Sequence, residues 1–171
     1  QAAMRAVMPI ALPSVLSYRK RRGQDKWDEM WHGVLHMPPM PNIDHQDLEG
    51  DLQAYLREFW ADPISAKVWH QVNLASIGGW PHDYRIPDLV LLTRDRLHIN
   101  RGEYLEGAPN VVIEIESPGD ETREKVPFYA ELEVPELWVI DRDTKEPEIY
   151  IFRGGKYRKQ RPVAGGWVRS A

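Results

Sequence analysis

The segment Val111–Glu116 constrains the fold most, because four of its six residues are Val or Ile and the other two are glutamates. Such an apolar run is typical of a strand that is covered on both faces of a sheet. Successive side chains of a strand point to opposite faces, so Glu114 and Glu116 share one face. Carboxylates in this setting are costly unless they are paired, hydrogen-bonded or bound to a metal. The segment predicts a core strand with a functional pair of acids, unless the end of the strand is simply exposed to water.

Length and composition predict one ordinary globular domain. The chain has 171 residues, of which 42% are apolar and 28% are charged, and these values are typical of folded domains. It contains no cysteine, which excludes disulfide scaffolds, cysteine-based zinc sites and thiol catalysis. No apolar run approaches the ~20 residues that span a bilayer. Because Pro9 and Pro13 interrupt the stretch that most resembles a signal peptide, we expect a cytoplasmic protein without membrane contact.

The charge is distributed unevenly along the chain. Residues 1–26 carry six basic and one acidic side chain, residues 103–148 carry four basic and fourteen acidic, and residues 149–171 carry six basic and none acidic. These basic termini are either solvated surface or arms that grip a phosphate backbone, with the acidic centre holding a cation against it. Charge alone does not decide between the two interpretations.

The order of predicted elements indicates a mixed α/β domain with a central sheet flanked by helices. We expect a lead-in with a basic segment at 1–26, a single domain at 27–161 and a tail at 162–171. The expected elements are a short helix at 14–23, two strands within 27–37, a helix at 44–60, strands at 67–77, 85–93 and 111–116, a helix at 120–133, a strand at 136–141 and a hairpin at 148–160. On the long helix, the apolar spacing predicts one buried face formed by Leu48, Leu52, Tyr55, Leu56 and Phe59.

Asp88 and Lys125 are further candidates for chemistry. Asp88 stands near the start of the apolar strand at 85–93, and aspartate is depleted in strands. Because neighbouring strands lie ~4.8 Å apart, Asp88 and Glu114 could share one divalent cation. Alternatively, Asp88 forms a turn with Pro87. Lys125 lies on the helix after the turn at Ser117, where it either faces the carboxylates or pairs with Glu121 on the helix surface.

Several of these motifs together resemble the Uma2 family of restriction-endonuclease-like proteins. The motifs that carry the resemblance are Glu29 to Leu35 around Gly33, His45-Gln46, Pro87-Asp88, Val112 to Pro118, Lys125 with Tyr129, and Val134 to Asp141. The resemblance covers residues 27–158 and implies the PD-(D/E)XK nuclease fold, in which acids on neighbouring strands surround Mg²⁺.

The resemblance also implies roles for individual residues. It assigns catalysis to Asp88, Glu114 and Lys125, and it places Asp88, Glu114 and Glu29 around the cation. We expect Asp88 and Glu114 to bind the cation, with Glu116 or Glu29 assisting. We further expect substrate contacts from His45, Arg85, Arg123 and Tyr129. One departure is that Glu116 stands where the superfamily usually has its lysine, so Lys125 would have to supply that charge from the helix.

The sequence is interpreted as an endonuclease that uses Mg²⁺ or Mn²⁺ to hydrolyse phosphodiester bonds of nucleic acid, with DNA favoured. One alternative is a nuclease-fold module that binds nucleic acid without cleaving it, and another is a structural or oligomerisation domain. A homodimer is left open. The histidines show no spacing that favours a zinc site.

Overall fold

A computed structural model describes residues 6–171 as an α+β fold, which confirms the expected fold class. The first five residues of the expected lead-in lie outside the described part of the chain. The strands are β1 Ala6–Met8, β2 Glu29–Trp31, β3 Val34–Met37, β4 Lys67–His70, β5 Leu74–Ala75, β6 Tyr84–Arg85, β7 Leu89–Leu92, β8 Leu105–Glu106, β9 Val111–Glu116, β10 Glu136–Asp141, β11 Pro147–Arg153 and β12 Lys156–Lys159. The helices are α1 Pro13–Arg21, α2 Ile43–Leu56, a π-helical turn Arg57–Ala61, α3 Asp62–Ile64, a 3₁₀ segment Arg94–Ile99 and α4 Thr122–Glu131.

Six strands form the sheet that carries the candidate site, in the order β12-β11-β10-β9-β7-β4, and we call it the site sheet. At its centre, β9 pairs in parallel with β10 and antiparallel with β7. Val112 packs on one face with residues of α4, whereas Ile113 packs on the other face with residues of α2. The Val and Ile side chains of β9 are buried on both faces, as its composition predicts.

A second six-stranded sheet has the order β1-β3-β2-β6-β5-β8, which the single central sheet of the sequence interpretation did not include. It forms because the two long strands expected at 67–77 and 85–93 are each divided between the sheets. The first divides near Gln71, whose φ of 48° is left-handed, and the second divides at Pro87, which has no N–H for a ladder. Part of the expected irregular lead-in also joins this sheet, since β1 pairs with β3.

The buried face of α2 differs from the predicted face. Leu52 and Leu56 pack on the site sheet as expected, but Tyr55 and Phe59 are exposed. The structure instead buries His45 and Glu49 on this helix. Because these two polar residues lie on the inward face, the buried stripe is rotated away from Tyr55. The helix therefore brings an imidazole and a carboxylate towards the end of the sheet.

Candidate functional site

A cavity of about 400 Å³ lies at the end of the site sheet where β9 ends, and Glu29, His45, Asp88, Glu114 and Lys125 line it. These residues come from five separate stretches of the chain. Glu114 lies on β9 and Asp88 directly before β7, whereas Glu29 belongs to the second sheet. The two helices contribute His45 from the first turn of α2 and Lys125 from the first turns of α4.

Asp88 and Glu114 face each other across two neighbouring strands. Leu89 pairs with Ile113 in the β7–β9 ladder, and continuing that register by one residue brings Asp88 opposite Glu114. The backbone N–H of Ile115 donates to Asp88 Oδ2 at 2.6 Å. The two acids therefore lie at one end of one pair of strands, although nothing local in the sequence pairs those strands.

Lys125 points into the acidic cluster. Its Nζ atom lies 2.9 Å from Glu29 Oε1 and 3.2 Å from Glu114 Oε1, and 13% of its side chain is exposed. Of the two alternatives considered for Lys125, the structure has the one in which its ammonium faces the carboxylates. This contact is possible because the turn at Ser117 reverses the chain, so that α4 packs beside β9. The Asp120 side chain stabilises the turn by accepting hydrogen bonds from the backbone N–H groups of Ser117 and Thr122.

Both carboxylate oxygens of Glu29 accept hydrogen bonds, which fix the orientation of its side chain. Oε1 accepts from the backbone N–H of Ile86 at 2.8 Å, and Oε2 accepts from Trp31 Nε1 at 2.7 Å. The residue is buried, so its carboxylate can neutralise Lys125 without competition from solvent. Glu29 therefore links the second sheet to the helix that carries the lysine.

Tyr129 lies beneath Glu114, and its hydroxyl donates to Glu114 Oε1. Burial raises the pKa of Glu114 to about 8; Lys125 acts against this rise, and the charges of Asp88 and Glu29 add to it. Burial lowers the pKa of Lys125, but Glu114, Glu29 and Asp88 raise it more, so its net pKa lies above the ordinary value. Lys125 is therefore charged at neutral pH.

A second group of ligand-type atoms adjoins the first. Atoms of His45, Glu49 and Asp88 lie within 4.8 Å of one another, and His45 Nε2 is 3.2 Å from Asp88 Oδ1. Glu49 also accepts from His70 Nδ1 at 3.1 Å and from Gln71 Nε2 at 3.0 Å. The sequence interpretation missed Glu49. Its position four residues after His45 was the available signal, because that spacing places both on one helix face.

The structure does not bring all the expected site residues to the cavity. Glu116 shares the face of Glu114 but forms a two-bond ion pair with Arg123, with Nε–Oε1 and Nη2–Oε2 distances of 2.6 Å. Both side chains are partly exposed and neither lines the cavity. Arg85 is 3% exposed; its Nη1 donates to the Met30 carbonyl oxygen at 3.0 Å, and its guanidinium lies 4.1 Å from the centre of the Phe128 ring. Arg85 is therefore part of the core in this structure.

His45, Glu49 and Asp88 form a group that could hold a metal ion, and the carboxylate of Glu114 stands opposite Asp88 in the continued register of β7 and β9. Carboxylate oxygens are the ligands that hard cations prefer. His45 Nδ1 is buried and has no hydrogen-bond partner among residues 6–171, and it lies 3.8 Å from Glu49 Oε2. A buried polar atom without a partner is costly, and an added ligand at this point would remove that cost.

Within residues 6–171, every helix is too short or too polar to cross a bilayer. The family model of Uma2, described as "Putative restriction endonuclease", matches residues 16–171. Among solved structures, a similar fold is found in "a putative nuclease belonging to DUF820" from Anabaena variabilis, with a TM-score of 0.63 and 16% sequence identity. That match covers 80% of this chain and 78% of the other. No curated protein sequence matches the chain.

Proposed function

Because the chain belongs to the Uma2 family, we propose that it is a metal-dependent nuclease that hydrolyses phosphodiester bonds, with DNA as its preferred nucleic acid. The observation that carries this proposal is the contact of one buried ammonium, Lys125, with Glu29 and Glu114 in the cavity that Asp88 also lines. The family description as a restriction endonuclease supports DNA over RNA.

Asp88 and Glu114 are the proposed ligands of Mg²⁺ or Mn²⁺. Both line the cavity, and their facing positions, Asp88 directly before β7 and Glu114 on β9, suit a shared ion. When bound, such an ion polarises a phosphate oxygen and lowers the pKa of a water molecule. Glu49 and His45 stand next to Asp88 and are available to orient it or to extend the ligand set.

Glu29 is proposed to position Lys125 and not to ligate the cation. Both of its oxygens already accept hydrogen bonds from Ile86 and Trp31, and Oε1 also contacts the lysine. Glu116 is left out of the proposed ligand set, because Arg123 occupies both of its oxygens.

Lys125 is proposed to supply the positive charge that the superfamily usually places on the strand. Its raised pKa keeps it an ammonium at neutral pH, and three N–H donors allow it to hold Glu29, Glu114 and a substrate oxygen together. In a site shielded from water, such a charge stabilises the negative charge that develops on a phosphate in the transition state. Tyr129 and the N–H of Ile115 keep the two acids in place while this occurs.

A nuclease-fold module that only binds nucleic acid is the alternative. It would use the same cavity without hydrolysis, because fold alone does not determine activity. The contact between Lys125 and Glu114 favours the catalytic proposal, since a lysine at this position compensates for Glu116 on the strand.

Incubation of supercoiled plasmid with the protein in Mg²⁺ or Mn²⁺ tests the proposal. We expect nicked or linear product with the wild type, and none with Asp88→Asn or in EDTA. Asp51→Asn is the matched control, because Asp51 is an exposed aspartate on α2 outside the cavity lining. Metal-independent binding without any cleavage would favour the alternative, and a single-stranded RNA substrate run in parallel tests the preference for DNA.

A further inference from the structure

The cavity is rich in negative charge, although the proposed substrate is a polyanion. Glu29, Asp88, Glu114, Asp120 and Glu121 all line it. Such a surface repels nucleic acid unless cations offset it. The way the substrate is held therefore depends on the positive groups that are still available to a phosphate.

Most of the positive groups around the cavity are already committed. Lys125 contacts Glu29 and Glu114. His45 lies between Asp88 and Glu49. These contacts engage both side chains with carboxylates at the acidic centre.

Arg142 is different, because it lines the cavity with donors that are not used. It follows the last residue of β10, and its backbone N–H donates to the Glu116 carbonyl oxygen at 3.0 Å, which anchors it next to the end of β9. Its Nε atom donates to Asp143 Oδ1 at 2.8 Å. Within the described part of the chain, Nη1 and Nη2 make no hydrogen bond, and 18% of the side chain is exposed.

The geometry points to Arg142 as a binding residue for a backbone phosphate of the nucleic acid, an inference that rests on the proposed nuclease function. A guanidinium presents two parallel N–H donors that match a phosphate. Asp143, which holds Nε, is 57% exposed, so it orients the guanidinium at the surface without shielding Nη1 and Nη2. Arg142 would thereby fix the substrate at the rim while Asp88 and Glu114 lie at the centre.

Binding of a fluorescein-labelled 20-base-pair DNA duplex, followed by anisotropy in CaCl₂ over a range of salt concentrations, tests this inference. A gel of the same samples reports whether the duplex stays intact. We expect Arg142→Gln to weaken binding about tenfold, as for the loss of one charge-assisted contact. The slope of log affinity against log salt should fall by about 0.9. Arg142→Lys should keep the salt dependence of binding and lose part of the affinity. The lysine keeps the positive charge but not the two parallel N–H donors of the guanidinium.

Arg57→Gln is the matched control, since Arg57 is an exposed arginine in the π-helical turn after α2 that does not line the cavity and lies outside the basic termini. It should bind as the wild type does. If Arg142→Gln and Arg57→Gln are indistinguishable while the wild type binds and cleaves DNA, the inference about Arg142 is wrong and the nuclease proposal stands. If the wild type neither binds nor cleaves, both are wrong. Equal melting temperatures of the variants establish that a change in affinity is not a loss of fold.

Discussion

Lys125 Nζ lies 3.2 Å from Glu114 Oε1, which joins the first turns of α4 to the central strand of the site sheet. The same nitrogen lies 2.9 Å from Glu29 Oε1 on the second sheet. One ammonium therefore contacts acids from both sheets, and it couples the stability of the fold to the chemistry of the site.

Lys125→Met should destabilise the protein and abolish cleavage. Removing one partner from a buried ion pair costs about 3–5 kcal/mol, because the other charges stay buried without compensation. Urea denaturation measures the loss of stability, and the plasmid assay measures activity. Lys67→Met is the control, because Lys67 is exposed on β4. A Lys125→Met protein with wild-type cleavage would contradict the role proposed for the ammonium.

Mg²⁺ should raise the melting temperature of the wild type but not that of Asp88→Asn. A ligand that binds only the folded state at a hundred times its Kd stabilises it by about 2.7 kcal/mol, which is about 5–10 °C for a chain of this size. In EDTA the two proteins should melt within a few degrees, because asparagine keeps an acceptor for the Ile115 N–H. Calorimetric melts with and without Mg²⁺ measure both effects. An equal Mg²⁺ shift in both proteins would remove Asp88 from the ligand set.

Glu116→Gln should retain cleavage and the stabilisation by Mg²⁺. The structure engages Glu116 with Arg123 at the surface, and partly exposed ion pairs contribute about 0–1 kcal/mol. The plasmid assay and a melt with added Mg²⁺ check this expectation. Loss of the Mg²⁺ shift would return Glu116 to the ligands that the sequence predicts.

Acidification should weaken the ion pairs of Glu148 on β11 with Lys159 and Arg123. Burial tends to raise the pKa of this carboxyl, but Lys159, Tyr150 and Arg123 lower it to about 2. Because the pKa is depressed in the folded state, the contribution to stability is complete above the unfolded pKa near 4.5. It is lost as the pH falls towards 2. For this partly exposed group we expect about 1 kcal/mol, after allowance for solvent screening.

Urea denaturation at pH 7, 4.5 and 3 measures the contribution of Glu148. The stability difference between wild type and Glu148→Gln should shrink over the two lower values. Glu146→Gln, in the exposed turn before β11, is the control and should show no such change. A difference that stays constant from pH 7 to 3 would mean that the native pKa of Glu148 is not depressed.

Local patterns in the sequence were sufficient for β9 and β10. The expected strands at 111–116 and 136–141 have the observed bounds, because each contains an unbroken apolar run that stays extended and buried almost regardless of its neighbours. The same pattern placed Glu114 and Glu116 on one face. The placement of Asp88 in a second apolar strand suggested that it shares a cation with Glu114, and the resemblance of motifs then assigned Lys125 to the same site.

Tertiary structure alone decided which of these side chains meet. Glu114 and Glu116 have the same local pattern, yet the packing of α4 brings Lys125 into contact with Glu114 and Arg123 into contact with Glu116. The sequence likewise did not reveal that Glu49 lies on the buried face of α2. The spacing of apolar residues identifies a buried helix face, but it leaves out polar residues that are buried beside a partner. Local sequence determines the direction of a side chain from its own backbone, whereas its partner depends on segments distant in the chain that only packing brings together.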